Sequence, residues 1–107
     1  MTTTVTVLQE AIFATTTGTA YTSTDCVTAL DKVTATNEST DIATITAQLL
    51  SPDGASIATY KKALQPGATW PFALELVGHT LAAGGKLNMI CPTANAIRWR
   101  ASGRKFT

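Results

Sequence analysis

Ile42, Ala43, Thr44, Ile45, Thr46, Ala47, Gln48, Leu49 and Leu50 run straight into Ser51, Pro52, Asp53 and Gly54. Ala43, Ile45, Ala47 and Leu49 alternate with Thr44, Thr46 and Gln48, and a period of two is the mark of a strand with one buried face. Pro52 presets the backbone for a turn and Gly54 supplies the positive φ that such a turn needs. Ala55 to Lys62, with Ile57 and Tyr60, then reads as the returning arm of a hairpin.

The same period extends in both directions. Val5 and Val7 alternate with Thr4 and Thr6, and the segment continues to Phe13 past a bend near Gln9 and Glu10. A short strand from Thr19 to Ser23 carries Tyr21. Val27 to Asn37 sets Val33 and Ala35 against Lys32, Thr34 and Thr36. After Gln65, Pro66 and Gly67, the alternation of Trp70, Phe72, Leu74 and Leu76 predicts a core strand whose start, at Pro71, lies on an edge. Leu81 to Gly85 reads as a turn, with a single helical turn possible over Gly78 to Ala83. Leu87, Met89 and Cys91 share a face, as do Ile97, Trp99 and Ala101, with Arg98 and Arg100 opposite. Ser102 and Gly103 mark a kink. These seven or eight short strands at regular spacing predict an all-β chain: one antiparallel β-sandwich of jelly-roll or immunoglobulin-like type spanning residues 1–107. Val33, Ile45, Phe72, Leu74 and Trp99 are its expected core. The Thr-rich residues 1–7 are expected to be a mobile arm or an arm that pairs with a partner.

At 107 residues the chain has room for one core. Only 14% of residues are charged against about 25% in an average domain, and Thr and Ala take up the difference. All seven acids lie at or before Glu75, whereas Lys86, Arg98, Arg100, Arg104 and Lys105 follow it. The basic end therefore reads either as a solvated strand face or as a contact for an acidic neighbour. Nucleic acid is disfavoured, because spacing two puts Trp99 opposite Arg98 and Arg100, whereas a stacking platform needs ring and cations together. The opening residues resemble neither a signal peptide nor a membrane span, so synthesis in the cytosol without export or a membrane partner is expected.

Chemistry is thinly supplied. His79 is the single histidine and lies in a loop. Asp25 with Asp31, and Glu38 with Asp41, sit at turns or strand ends, where acids commonly form turns. Cys26 and Cys91 fit no metal spacing and read as buried thiols, with a disulfide open if their strands meet. No catalytic, cofactor or metal set is expected, and the chain reads as no enzyme.

The order of turns carries a resemblance. Pro52-Asp53-Gly54, Gln65-Pro66-Gly67-Ala68, Leu81-Ala82-Ala83-Gly84-Gly85, Thr93-Ala94-Asn95-Ala96-Ile97 and Ala101-Ser102-Gly103 follow one another as in a group of small tailed-bacteriophage virion proteins. The likeness spans about Ala14 to Phe106, with Gly85 where an acidic residue is usual. It implies a head-decoration, neck or tail component, made in the host cytoplasm and resident in the virion. Such a protein bridges major capsid, connector or tail subunits as a homo-oligomer, a trimer by capsid geometry. The expected interface comprises Thr3, Thr4 and Val5, pairing as a strand with a neighbour, and Arg98, Arg100, Arg104 and Lys105, meeting an acidic patch. The alternative is a tail-tip or fibre module that recognises host glycan through exposed Trp70 or Trp99.

Overall fold

The computed structural model describes residues 2–107. Among these the chain is all-β, with nine strands in two antiparallel sheets and no helix. The first sheet runs β1 (Thr3–Phe13), β9 (Ile97–Phe106), β3 (Val27–Asn37) and β6 (Thr69–Trp70), with β7 (Thr80–Leu81) also on β3. The second runs β2 (Thr19–Thr22), β8 (Lys86–Ile90), β4 (Ala43–Leu50) and β5 (Ser56–Leu64).

The β4–β5 hairpin forms as the alternation requires, with Ala43, Ile45, Ala47 and Leu49 all buried. Its turn closes through Ser51 N–H donating to Ala55 O (2.8 Å) and Gly54 N–H donating to Ser51 O (2.9 Å). Side chains from both sheets form one hydrophobic cluster that includes Leu30, Val33, Ile45, Leu49, Leu87, Met89, Ile97 and Trp99. Each fully buried Leu, Ile or Val there stabilises the fold by roughly 1.5–3 kcal/mol. Polar ties join the sheets: Trp99 Nε1 donates to Thr19 Oγ1 (2.7 Å), and Thr28 Oγ1 lies 3.2 Å from Tyr21 Oη and 2.7 Å from Ser23 Oγ. Cys26 and Cys91 are buried free thiols.

Two sequence expectations need correction. Trp70 to Leu76 is not a core strand. Pairing stops at Trp70, Phe72 takes φ +48°, and its carbonyl accepts from Leu76 N (3.0 Å) and Val77 N (3.3 Å). Pro71 has no N–H to extend the ladder, so the chain coils over 73–78 instead. Phe72 and Leu76, four apart, are thereby buried, while Leu74 is 95% exposed. Of the expected sixth strand only Trp70 pairs, in β6; β7 lies beyond it at Thr80–Leu81, and the helical turn allowed over Gly78 to Ala83 does not form.

The other correction concerns the arm. Met1 lies outside the described residues, and Thr3 to Val7 are placed in the first sheet and not as an arm detached from it: they pair with β9, Thr3 opposite Phe106, Val5 opposite Arg104 and Val7 opposite Ser102. Irregularities in β1 near Leu8 and in β3 near Asp31 flank Ser102 and Gly103 from both sides, where the sequence marked a kink. Gly103 is required there, since a Cβ would lie 2.1 Å from Ala29 O.

Candidate interaction surface

Pairing of β1 with β9 brings the two halves of the expected interface side by side. Alternation divides them by face. Val5, Arg98, Arg100 and Arg104 lie on the outer face of the first sheet with Thr3 and Phe106, whereas Thr4 and Lys105 sit opposite each other on the inner side. Lys105 thus stands apart from the arginines, half-buried between Thr4 and Thr28 of the neighbouring strands.

The arginines do not form a free basic patch. Arg98 Nε lies 2.9 Å from Glu38 Oε2, and its guanidinium covers the Phe13 ring at 4.5 Å. Arg104 grips Asp31 with Nε at 3.1 and 3.2 Å and Nη2 at 3.0 Å. Arg100 reaches Glu10 more loosely, at 3.7 Å. These pairs are half-exposed and each stabilises by only about 0–1 kcal/mol, but they cancel the charge that was to attract an acidic partner. Between them lies a shallow depression of about 250 Å³ lined by Ala11, Thr34, Thr36, Glu38, Arg98 and Arg100.

The other sequence candidates are dispersed. His79 stands beside Tyr60, ring centres 6.4 Å apart. Asp31 and Glu38 serve the arginines, and Asp25 occupies a turn at φ +56°. Among the described residues no three His, Cys, Asp or Glu side chains gather as metal ligands. Trp99 is buried; Trp70 is half-buried, donating from Nε1 to Glu75 Oε2 (2.7 Å) with Lys62 Nζ 4.3 Å above its ring.

What the sequence reading missed is the state of the sheet edges. An outer strand exposes unpaired N–H and C=O groups to any passing strand. β2, β6 and β7 are too short to offer much of a template. β5 carries Lys61 outward and Lys62 on the inner face, opposite Ile45, with its ammonium on Trp70. β1 is eleven residues long, and its regular half, Thr3 to Val7, has no charge, proline or bulge. Val5 there is 78% exposed.

The hydrogen-bond phase shows which groups are free. Thr2 and Thr107 exchange both backbone bonds (2.7 and 2.9 Å). Antiparallel pairs alternate between bonded and unbonded, so Thr4 and Thr6 bond to β9, and Thr3, Val5 and Val7 aim their N–H and C=O away from it. The same alternation holds across β9: Leu30, opposite Gly103, bonds away from β9 to His79 O and Gly78 N (both 2.9 Å).

Comparison with known protein families, with curated proteins and with solved structures finds no match to this chain.

Proposed function

We propose that this chain is a non-enzymatic structural subunit of a bacteriophage particle, a head-decoration (cement) or head–neck protein that bridges neighbouring subunits and stiffens their joint. Its two sheets lie face to face as a β-sandwich of jelly-roll or immunoglobulin-like type; the single buried cluster drawn from both sheets supports that layering. The partner is a major capsid, connector or tail protein, and the chain assembles as a homo-oligomer in the virion after synthesis in the host cytoplasm. The order of turn motifs from Pro52 to Gly103 supports this assignment.

The observation that carries the reading is the undefended half of β1. A strand that aims successive free N–H and C=O groups at solvent, with no charge to repel another strand, is suited to β-augmentation. The basic last strand has a smaller part than its sequence suggests, because Glu38, Glu10 and Asp31 hold its arginines. The glycan alternative is not favoured, since Trp99 is buried and Lys62 covers the Trp70 ring.

The test is to purify particles from a lysate in which the chain is expressed from its own genome, and to measure its copy number by quantitative mass spectrometry and imaging. A fixed stoichiometry on the head or neck is expected. Recovery of the chain only in the particle-free fraction would overturn the assignment.

A further inference from the structure

We infer that the open half of β1 pairs with the same segment of a second copy of this chain, across a two-fold axis through Val5. The inference rests on the reading of β1 as an unprotected edge and names its occupant.

The argument begins with backbone chemistry. Thr3, Val5 and Val7 present outward donors and acceptors at two-residue spacing, over about 14 Å of extended chain. Only another extended strand matches that spacing. In an antiparallel self-pair centred on Val5, Thr3 faces Val7 of the partner, Val5 faces Val5, and Val7 faces Thr3. Every one of these residues directs groups that β9 does not use at the seam, and Val7 O, which takes a long bond from Thr6 Oγ1 (3.4 Å), keeps a second lone pair, so each pair exchanges both backbone bonds. Any register displaced by one residue would set outward-bonding residues against Thr4 and Thr6, whose groups already belong to β9.

The side chains fit the same axis. On the outer face Val5, 78% exposed in one copy, gains the other Val5 and the flanking Val7 as neighbours. On the inner face Thr4 meets Thr6 of the partner, a β-branched polar pair that sheets favour. No charge lies in Thr3 to Val7, so the two-fold brings no like charges together. Glu10 falls beyond the paired segment, and Arg104, one strand back, is held by Asp31. The irregularities after Val7 end the flat stretch and limit the seam to this segment.

Antiparallel self-pairing is isologous and consumes both edges, so it closes at two copies; a three-fold ring through β1 would need a second, different edge. Five residues a side bury less than the ~1,000 Å² of a stable interface, so the pair is weak in free solution. Held on a particle at high local concentration, the same contact would be populated.

The full chain is examined by sedimentation equilibrium from about 10 μM to 1 mM, the range in which a weak contact registers. The expected result is a mass rising from one chain towards two, with amide protection of Val5 and Val7 growing with concentration. Val5→Pro removes an N–H that β9 does not use, so its circular dichroism should match the parent while association weakens by about tenfold or more. Val5→Lys, which keeps the backbone intact, should do the same. A mass of one chain throughout, or a dimer indifferent to both substitutions, overturns the inference. If the free chain stays monomeric yet Val5→Lys abolishes incorporation into particles, the edge reading survives and its occupant is a different protein. If the dimer forms and responds as expected but no particle contains the chain, the virion assignment fails and the self-pairing stands.

Discussion

β1 and β5 are the two long outer strands of the molecule, one on each sheet, and they are built on opposite plans. β5 is tied down by side chains and guarded by charge. Leu64 is buried at its end, Asn37 Nδ2 reaches across to Leu64 O (2.9 Å), and Lys61 and Lys62 stand on its two faces. β1 is held mainly by its ladder to β9, with Leu8 alone of its side chains packed on the core cluster, and its regular half carries no charge. The difference shows that an outer strand can be fully paired on one side while its other side keeps an uncharged row of backbone groups that its own sheet does not use. Attachment and protection are separate properties, set by different residues.

The largest test of β1's attachment is Gly103→Ala. Gly103 sits in β9 between Thr6 of β1 and Leu30 of β3, and the added Cβ would press on Ala29 O, a backbone atom with little freedom to yield. A loss of about 3 kcal/mol or more is expected, a large part of a small domain's stability. Thermal unfolding should shift down by more than ~10 °C. Gly67→Ala, in the turn after β5, meets open space and suffers only its φ of +79°, about 1–2 kcal/mol. Equal losses at the two positions would show that the spacing of β1, β9 and β3 is not set by Gly103.

Next in size is Asn37→Leu, which tests how β5 is held. Asn37 is fully buried: its Nδ2 donates to Asp41 O (2.8 Å) and Leu64 O, and its Oδ1 accepts from Ser39 N (2.9 Å) and Ser39 Oγ (2.6 Å). Leucine fills similar space but strands these partners, at about 2–4 kcal/mol. Hydrogen exchange should quicken near Leu64 and over the 38–42 loop and leave Thr4 and Thr6 unchanged. Equal loosening of β1 would mean that the two outer strands do not open independently.

The sequence displayed much of this plan where alternation is unambiguous. Val27 to Asn37 could be bounded to the residue, because buried Val33 and Ala35 alternate with polar neighbours between two turn signals. Trp70 to Leu76 misled for a physical reason: apolar groups at spacing two also include a pair at spacing four, Phe72 and Leu76, which one coiled turn buries equally well. Pro71 was the clue that the ladder would stop. The outward direction of Arg98 and Arg100 followed from period two, but their neutralisation did not. Glu38, Glu10 and Asp31 come from elsewhere in the chain, and pairing between distant strands leaves no local mark. The same holds for residues 3–7, whose partner strand lies at the opposite end of the sequence.

Smaller effects probe protection. Replacing Lys61 and Lys62 together by Thr should give β5 the uncharged character of β1. The lost Lys62–Trp70 contact costs only about 0.5–1 kcal/mol. Solubility should fall and a concentration-dependent association should appear that persists when Val5→Lys is added. Unchanged behaviour would show that neither lysine guards this edge.

The smallest expected effect is a local one at the turn that leads into β5. Asp53 Oδ1 accepts from Ser51 Oγ and, at 3.3 Å, from Ala55 N, and these bonds hold its carboxyl below the ordinary 3.8. A carboxylate with a lowered folded pKa supports the folded turn fully above its unfolded value. That support is lost as pH falls through the folded value, because the unfolded chain takes up its proton first. Carboxyl-carbon NMR should therefore place the Asp53 midpoint below the ordinary value, and Ser51→Ala should move it back up, since the Ser51 bond is the largest cause. The side chain is fully exposed, so the change belongs to the turn and should not register in global unfolding. Thr3 to Val7 contain no titratable side chain, and their amide shifts should stay fixed while those of Ser51 to Ala55 move. A common acid response at both strands would mean that they report one collective opening and not two separate edges.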